Sequence, residues 1–305
     1  MKQLVAIERF CLIGHILSLI FGLAGLLMVL PNPKFIAALP TAGQALFGWS
    51  MAGGGVVYIL LGAVTMALYA YQRLGWRNWL LFMLPAVGIS LSSELLGTST
   101  GFPFGHYTYL NGLGYKIAGL VPFTIPLSWF YVGLSTYLLA WVGLEATGIK
   151  GWIKQVSTIA LGALLLTAWD FVLDPAMSQT AYPFWEFHDP GQFFGMPYRN
   201  LTGWLGTGVL FMSVASFFWR KATIALTRSQ LMVPLIIYLV NFAFGAVITL
   251  YQLDVRFWIP TAIGVVLGVI PAVTLWWLAE LRTVPHTARE PVSTGLAVAA
   301  EREFF

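Results

Sequence analysis

Three carboxylates stand within long apolar stretches of the sequence, namely Glu94, Asp170 and Asp174. A charge buried in a hydrocarbon core is costly, so an acid retained there is a functional candidate by default. The spacing of four residues places Asp170 and Asp174 on one face of a helix, one turn apart, where two negative charges repel. Repulsion and an apolar setting both favour a protonated carboxyl, so we expect at least one of the pair to be a neutral general acid at physiological pH.

A structural role for these acids is the alternative interpretation. Asp174 would then lie at the wet membrane interface, and Asp170 would bond to a neighbouring helix. Pro175 disfavours helical geometry at the residue before it, which predicts that the helix ends at Asp174. Lys116 and Arg199 each stand as the only basic residue of a long loop, and either could pair with the carboxylates and hold them ionised. The sequence leaves both questions open.

The histidines are too widely spaced for a metal cluster. His15, His106, His188 and His286 are nowhere closer than 82 residues in sequence. Membrane oxygenases that hold two irons need clustered histidines, because each metal takes several imidazoles. We therefore predict no metal, and the absence of a phosphate-binding loop or dinucleotide fingerprint predicts no other cofactor. We expect His106 and His188 to be solvated loop residues and His15 to be packed and hydrogen-bonded.

The composition places these residues in a membrane protein. Hydrophobic residues make up 58% of the 305 residues, charged residues only 9%, and the mean hydropathy is +0.79. Soluble domains carry roughly 25% charged residues. This deficit excludes intrinsic disorder, a coiled coil, a cytosolic enzyme and a nucleic-acid partner.

Eight apolar stretches approach the ~20 residues that a helix needs to cross the hydrocarbon core of a bilayer. The predicted spans are Phe10 to Leu30, Trp49 to Tyr71, Trp79 to Leu96, Pro126 to Glu145, Val156 to Asp174, Leu201 to Trp219, Leu231 to Tyr251 and Trp258 to Leu278. The fold class is therefore an all-α, polytopic integral membrane bundle of about eight transmembrane helices. Membrane lipid is accordingly an expected partner.

The basic residues predict the orientation of the bundle. With eight spans, twelve of the sixteen Lys and Arg residues fall on the side that holds both termini. Cytoplasmic loops carry the excess of positive charge, so both termini are predicted to be cytoplasmic. The formal charge of +4 thus reflects topology. Whether the membrane is a cell inner membrane or a thylakoid is left open.

Two long loops lie on the predicted non-cytoplasmic side. Residues 97–125 and 175–200 form loops of 29 and 26 residues that are rich in aromatic side chains and glycine. Irregular backbone is tolerated at membrane depth only where it lines a protein cavity, so we predict that these loops fold back over the bundle as a lid. Residues 1–282 are predicted to form the transmembrane catalytic domain, and residues 283–305 a flexible cytoplasmic tail.

Glycine clusters within the spans are interpreted as helix contacts. Gly53, Gly54 and Gly55 form one small surface, and Gly264 and Gly268 form a GxxxG pattern. Small residues let neighbouring helices approach closely in membranes. We expect close packing at both clusters rather than chemistry.

The central part of the chain, about residues 88 to 208, carries a specific set of motifs. These are Glu94-Leu-Leu-Gly-Thr98, Thr100-Gly-Phe-Pro-Phe-Gly105, Tyr107, Tyr109, Leu113-Gly-Tyr-Lys116, Pro126-Leu-Ser-Trp129, Trp169-Asp170, Asp174-Pro-Ala-Met177, Phe194-Gly-Met-Pro197, Asn200 and Gly203-Trp204. With these motifs the chain resembles the membrane-bound carotenoid 1,2-hydratases of the CruF type, which include γ-carotene 1′-hydroxylases and bisanhydrobacterioruberin hydratases. Outside this region only hydropathy and helix count agree.

The resemblance implies cofactor-free addition of water to the terminal 1′,2′ double bond of an acyclic carotenoid end group, such as that of γ-carotene. A carboxylic acid would protonate C2′, and water would capture the tertiary cation at C1′. We hypothesise that Asp170 donates the proton and that Asp174 or Glu94 positions the water as general base. Substrate contacts are expected, mainly from aromatic faces, at Tyr107, Tyr109, Trp129, Trp169, Lys116, Asn200 and Trp204.

Four other functions stay open at this point. A membrane carotenoid cyclase also begins by protonating an acyclic end group. A membrane prenyltransferase would use Asp170 and Asp174 as half of a magnesium-binding motif, but no second such motif is present. A proton-coupled transporter could use Glu94 and Asp170 as relays, and a carotenoid-binding protein would need only the aromatic cavity.

Overall fold

A computed structural model describes residues 2–220, 222 and 224–279 of the chain. Within this part, the helices are α1 (Lys2–Ala24), α2 (Pro33–Ala38), α3 (Thr41–Thr100), α4 (Thr124–Ala146), α5 (Gly151–Ser178), α6 (Tyr198–Trp219), α7 (Met232–Gln252), α8 (Trp258–Gly264) and α9 (Ile270–Leu278). π-Helical turns at Gly25–Val29 and Val265–Val269 extend α1 and join α8 to α9. The predicted tail, residues 283–305, lies outside the described residues.

The described helices confirm the all-α membrane bundle. Seven helical segments are long and apolar enough to cross a bilayer, and one of them, α3, has 60 residues. A straight helix of that length would measure about 90 Å, three times the hydrocarbon core. Gly75 interrupts it with φ 81° and ψ 160°, a conformation open to glycine because it has no Cβ. Thus α3 contains two spans, and the described residues form the eight predicted crossings.

The predicted end of the fifth span at Asp174 is wrong. Helix α5 continues through Pro175 to Ser178. The proline ring removes one backbone donor, but Asp174 to Met177 are all buried against the bundle, and this packing outweighs the local preference. Asp174 therefore lies inside a buried helix, not at a wet helix end.

Helix α4 forms the centre of the bundle. Eighteen of its 23 residues are buried, and α4 packs against α3, α5, α7 and α9. Its Trp129, Tyr131 and Tyr137 are among the largest fully buried side chains. Large side chains such as Phe10, by contrast, are exposed at the predicted lipid-facing surface. A helix buried all round its axis can present polar residues to an enclosed site.

The two long loops pair with each other above one end of the bundle. Strand β1 (Tyr107–Tyr109) pairs antiparallel with β4 (Trp185–Phe187), and β2 (Lys116–Ile117) pairs with β3 (Val121–Pro122). Tyr109 lies opposite Trp185, so one strand from each loop forms a small shared sheet. This arrangement confirms that the aromatic loops fold over the bundle.

A buried polar network ties the helices together in the membrane interior. His15 Nδ1 lies 2.8 Å from the Tyr58 carbonyl oxygen, and its Nε2 lies 3.0 Å from Asn241 Nδ2. The Tyr131 hydroxyl donates to Asn241 Oδ1 at 2.9 Å. His15 is thus a packed, hydrogen-bonded residue, as predicted.

The glycines of the two clusters differ in how closely other residues pack against them. A Cβ on Gly264 would lie 3.0 Å from the Ala168 carbonyl oxygen, and one on Gly55 would lie 2.5 Å from that of Gly112, as close packing predicts. A Cβ on Gly53 or Gly54 would meet nothing within 4 Å. The prediction of close packing is therefore wrong for Gly53 and Gly54, which face open space.

Candidate active site

Glu94 lies in the second half of α3, six residues before the helix ends, and is 3% exposed. Three hydrogen-bond donors surround its carboxyl group. The Tyr109 hydroxyl donates to Oε2 at 2.9 Å, Trp129 Nε1 donates to Oε1 at 2.9 Å, and the Tyr107 hydroxyl also donates to Oε2. Such a set suits a carboxylate, because a protonated carboxyl would add a hydrogen that needs an acceptor of its own.

Asp170 and Asp174 form a pair on α5, and both are buried. The amide nitrogen of Asn200 donates to Oδ2 of Asp170 at 2.9 Å and to Oδ2 of Asp174. Trp185 Nε1 donates to Oδ1 of Asp174 at 3.2 Å. The shared partner confirms that the two aspartates lie on one helix face.

This pair has fewer donors than acceptor sites. Among the described residues no donor reaches Oδ1 of Asp170, although that atom is buried. The Asp170 and Asp174 carboxyl groups share the amide nitrogen of Asn200, so two negative charges would lie close together. Two buried carboxylates this close repel each other, so the arrangement fits a pair that carries a single proton.

A small cavity is lined by both Glu94 and Asp174. Its volume is about 40 Å³, and its walls include Glu94, Asp174, Asn200, Trp129 and Trp204. One water needs roughly 10–15 Å³ of such space and two to four polar partners. The cavity is therefore of a size and polarity that suit water, with two carboxyl groups in its wall.

Aromatic rings form the remaining walls. Trp129 and Trp204 stack with ring centroids 4.2 Å apart and planes 24° apart. Tyr107 and Tyr109 meet edge to face at 5.4 Å, and Phe104 lies 6.1 Å from Trp129. A ring face is negative and attracts a cation without offering it a nucleophile. The cavity thus combines acids, room for water and surfaces that can stabilise a carbocation.

Comparison with known proteins identifies the family of the chain. The profile of the carotenoid biosynthesis protein family matches residues 54–271, more than two thirds of the sequence. The chain belongs to this family. The matched region contains all three carboxylates, Asn200 and the tryptophans of the cavity.

One curated protein adds detail to the family match. The chain is 35% identical over 133 residues to the bisanhydrobacterioruberin hydratase of Haloarcula japonica, a match that covers 44% of this chain and 43% of that relative. The aligned region is therefore less than half of either protein. No solved structure matches the chain.

In this carotenoid biosynthesis protein, several predicted site residues meet at the cavity. The structure brings together Glu94, Asp174, Tyr107, Tyr109, Trp129, Asn200 and Trp204. Asp170 is not among the residues that line the cavity, but it shares the Asn200 amide with Asp174, which does. Trp169 donates to the Asn241 carbonyl oxygen at 3.2 Å and reaches the cavity only by its edge-to-face contact with Trp204.

The two loop cations are not at the carboxylates. Lys116 Nζ donates to the Tyr109 carbonyl oxygen at 2.5 Å, and within the described residues neither Lys116 nor Arg199 forms an ion pair with Glu94, Asp170 or Asp174. Lys116 thus supports the strand that carries Tyr109. The sequence left open whether these cations pair with the carboxylates, and the structure shows no such pair among the described residues.

Three aromatic residues of the cavity were not predicted as site residues from the sequence. Trp185 bonds to Asp174, and Phe104 and Phe187 line the cavity wall. All three belong to the two aromatic loops, so the sequence already showed that aromatic side chains are present in this region. Their positions depend on the pairing between β1 and β4, which joins residues about 80 positions apart. No local pattern reveals such a register.

The loop tyrosines are suited to remain hydrogen-bond donors. Burial raises the pKa of the Tyr107 and Tyr109 hydroxyls well above the usual value, and the adjacent Glu94 carboxylate raises it further. Both phenols therefore keep their protons at physiological pH and donate to Glu94.

The loop histidines lie outside the cavity. His106 and His188 are exposed, as predicted, and His188 Nε2 lies 2.7 Å from the Thr108 hydroxyl. In the part of the chain that the structure describes, no three His, Cys, Asp or Glu side chains gather as a metal site.

Proposed function

We propose that this chain is a carotenoid 1,2-hydratase, a hydro-lyase that adds water to the terminal 1′,2′ double bond of an acyclic carotenoid end group such as that of γ-carotene. The observation that carries the proposal is the water-sized cavity lined by Glu94 and Asp174, with Asp170 joined to Asp174 through Asn200. Membership of the carotenoid biosynthesis family and the name of the Haloarcula relative support the substrate class and the reaction.

The surroundings of the carboxyl groups suggest their roles. Glu94 has three donors and suits the ionised form, so it is proposed as the general base. The aspartate pair shares one proton and is proposed as the general acid. The sequence suggested Asp170 as the donor; we propose instead that the proton leaves through Asp174, because Asp174 lines the cavity.

The reaction then follows in balanced steps. The proton of the aspartate pair forms a new C–H bond at C2′, and the π electrons of the double bond supply the electron pair. The tertiary cation at C1′ forms next to the rings of Trp129 and Trp204, which stabilise it. A water in the cavity bonds to C1′ through oxygen and gives one proton to Glu94. Transfer of that proton back to the aspartate pair completes the cycle.

Water access separates this proposal from a cyclase. Both enzymes would make the same cation, but a cyclase has to exclude water until the ring closes. A cavity lined by two carboxyl groups and an amide favours water at that position. Hydration also leaves the overall oxidation state unchanged, so it requires neither a redox cofactor nor oxygen.

The cellular setting is proposed from the distribution of charge. We infer that both termini are cytoplasmic, that the carboxyl groups lie near the opposite membrane face, and that the partners are a carotenoid, water and membrane lipid. A carotenoid is a polyene of about membrane thickness, so one end group would reach this depth while the chain stays in lipid.

The test is expression of the full chain in a bacterium that accumulates lycopene and γ-carotene. Pigments that gain the mass of one water per acyclic end group would support the proposal. Unchanged pigments, with the protein present and folded in the membrane, would contradict it. A cyclic product of unchanged mass would favour the cyclase.

A further inference from the structure

A large apolar groove lies beside the candidate active site. Its volume is about 800 Å³, and it is bounded by α1, α2 and the first half of α3. Ligand sites of small molecules commonly measure about 300–1,000 Å³. Its wall on α3 runs from Gly43 to Tyr58, which corresponds to about 22 Å of helix. The groove is therefore long and wide enough for a linear apolar molecule.

The floor of the groove is made by glycine. Gly53 and Gly54 line it, and a Cβ on either would meet nothing within 4 Å. Gly54 has Ser50 and Tyr58 one turn away on either side, and both also line the groove. Glycine at this position leaves the groove open where any larger side chain would project into it.

Residues that are close in sequence line the groove and the acid cavity. Met177 lines the groove and lies three residues after Asp174 on α5. Phe184 lines it as well and precedes Trp185, which donates to Asp174. The Phe184 amide donates to the Met177 carbonyl oxygen at 2.7 Å, so the second aromatic loop is joined to the end of α5 at the groove.

We propose that this groove binds the polyene chain of the carotenoid and presents its end group to Asp174. The proposal rests on the proposed function. The acid cavity, at about 40 Å³, has no room for a polyene, so most of the substrate must lie outside it. No residue lining the groove carries a charge, which suits a hydrocarbon better than a phospholipid with its polar headgroup.

Filling the groove at Gly54 tests the proposal. The full chain and its Gly54→Phe variant are purified into lipid nanodiscs with lycopene, and bound lycopene per protein is measured by absorbance. We expect Gly54→Phe to lower bound lycopene about tenfold, because a phenyl ring occupies the floor. Its KM for hydration of lycopene should rise while kcat changes little.

Two control variants separate groove filling from general damage. Gly88→Phe places the same ring on an exposed face in the second half of α3, where a Cβ also meets nothing within 4 Å. Gly54→Ala adds only a methyl group at the groove and should lower lycopene binding less than Gly54→Phe does. Gly88→Phe should bind lycopene as the unmodified chain does.

Each outcome decides the proposal. Undiminished lycopene binding by Gly54→Phe, or an equal loss in Gly88→Phe, would overturn it. Loss of co-purified phospholipid with lycopene binding intact would overturn it in favour of a lipid site. If only Gly54→Phe loses lycopene binding and the unmodified chain hydrates nothing, the proposed binding site is supported and the proposed function is contradicted. If the unmodified chain hydrates lycopene and Gly54→Phe still binds it, only the groove fails.

Discussion

Asp174 and Asp170 differ in their access to the cavity although they share Asn200. Only Asp174 lines the cavity, whereas Asp170 is fully buried and has one oxygen that no donor reaches among the described residues. If the two share one proton, removal of either carboxyl destroys the acid. A buried pair of this kind is expected to act as one unit, so its members should not contribute additively.

We predict that Asp174→Asn and Asp170→Asn each lower hydration about 10²- to 10⁴-fold, the usual contribution of a positioned acid. Product per folded protein in isolated membranes measures the effect. Asp254→Asn is the matched control, because Asp254 is a surface residue that pairs with Arg256 at 3.0 Å. A fully active Asp174→Asn variant would remove the pair from the mechanism.

The proposed division between acid and base makes a second prediction. Glu94→Gln should block capture by water but leave protonation intact, because the aspartate pair is untouched. In D₂O, the recovered carotenoid should then gain deuterium, since the cation returns to an alkene after accepting a deuteron. Asp174→Asn should give neither alcohol nor deuterated substrate. Mass spectrometry of the unreacted pigment measures both variants.

The reverse pattern would contradict this division of roles. If Glu94 were the acid, deuterium exchange would vanish in Glu94→Gln and persist in Asp174→Asn. The three donors around Glu94 make that reversal unexpected, because they leave no acceptor for a carboxyl proton.

Helix α6 positions the first aromatic loop at a glycine. A Cβ on Gly203 would lie 2.6 Å from the Phe104 ring and 2.9 Å from the Pro103 carbonyl oxygen. The loop segment that leads into β1 therefore rests directly on the α6 backbone. Displacing it would move Tyr107 and Tyr109 away from Glu94.

We predict that Gly203→Ala lowers hydration about tenfold or more, because overpacking at a rigid contact costs roughly 1–3 kcal/mol or forces the loop to move. Gly206→Ala, one turn further on the same helix, should be neutral, since its Cβ would meet nothing within 4 Å. Activity and melting temperature in detergent are measured for both. Equal activity of the two variants would show that the loop contact is dispensable.

Predictions from the sequence were most accurate for features that are set within a single helix. Hydropathy predicted the eight crossings, and the i, i+4 spacing placed Asp170 and Asp174 on one face. It failed at Pro175, where tertiary packing keeps the helix intact. The prediction of close packing also failed at Gly53 and Gly54. Whether another helix packs against a glycine depends on the tertiary arrangement, which the sequence pattern does not give.

The site was predictable in residue type and only partly in arrangement. Acids in apolar spans are conspicuous, so Glu94 and the aspartates could be found directly. The three donors to Glu94 come from a loop and from α4, and Trp185 reaches Asp174 from a second loop. Such convergence depends on long-range pairing, which a single sequence does not encode locally. The contact of Lys116 with the Tyr109 carbonyl oxygen depends on the irregular backbone of one loop, which no periodic pattern predicts.

The polar residues of the candidate active site lie at one end of an apolar helical bundle. The loops that cover the carboxyl groups are paired, and α4 is buried at the centre. An apolar groove adjoins this end through Met177 and Phe184. This arrangement suits a substrate that stays in lipid and presents only its terminus to water and acid.

The source of the oxygen atom tests the central claim most directly. Membranes that contain the full chain are supplied with lycopene or γ-carotene, either in ¹⁸O-water under ordinary oxygen or in ordinary water under ¹⁸O₂, and the products are analysed by mass. We predict one heavy oxygen per new hydroxyl from labelled water and none from labelled oxygen gas. A hydroxyl labelled from oxygen gas would contradict hydration and require an oxygenase.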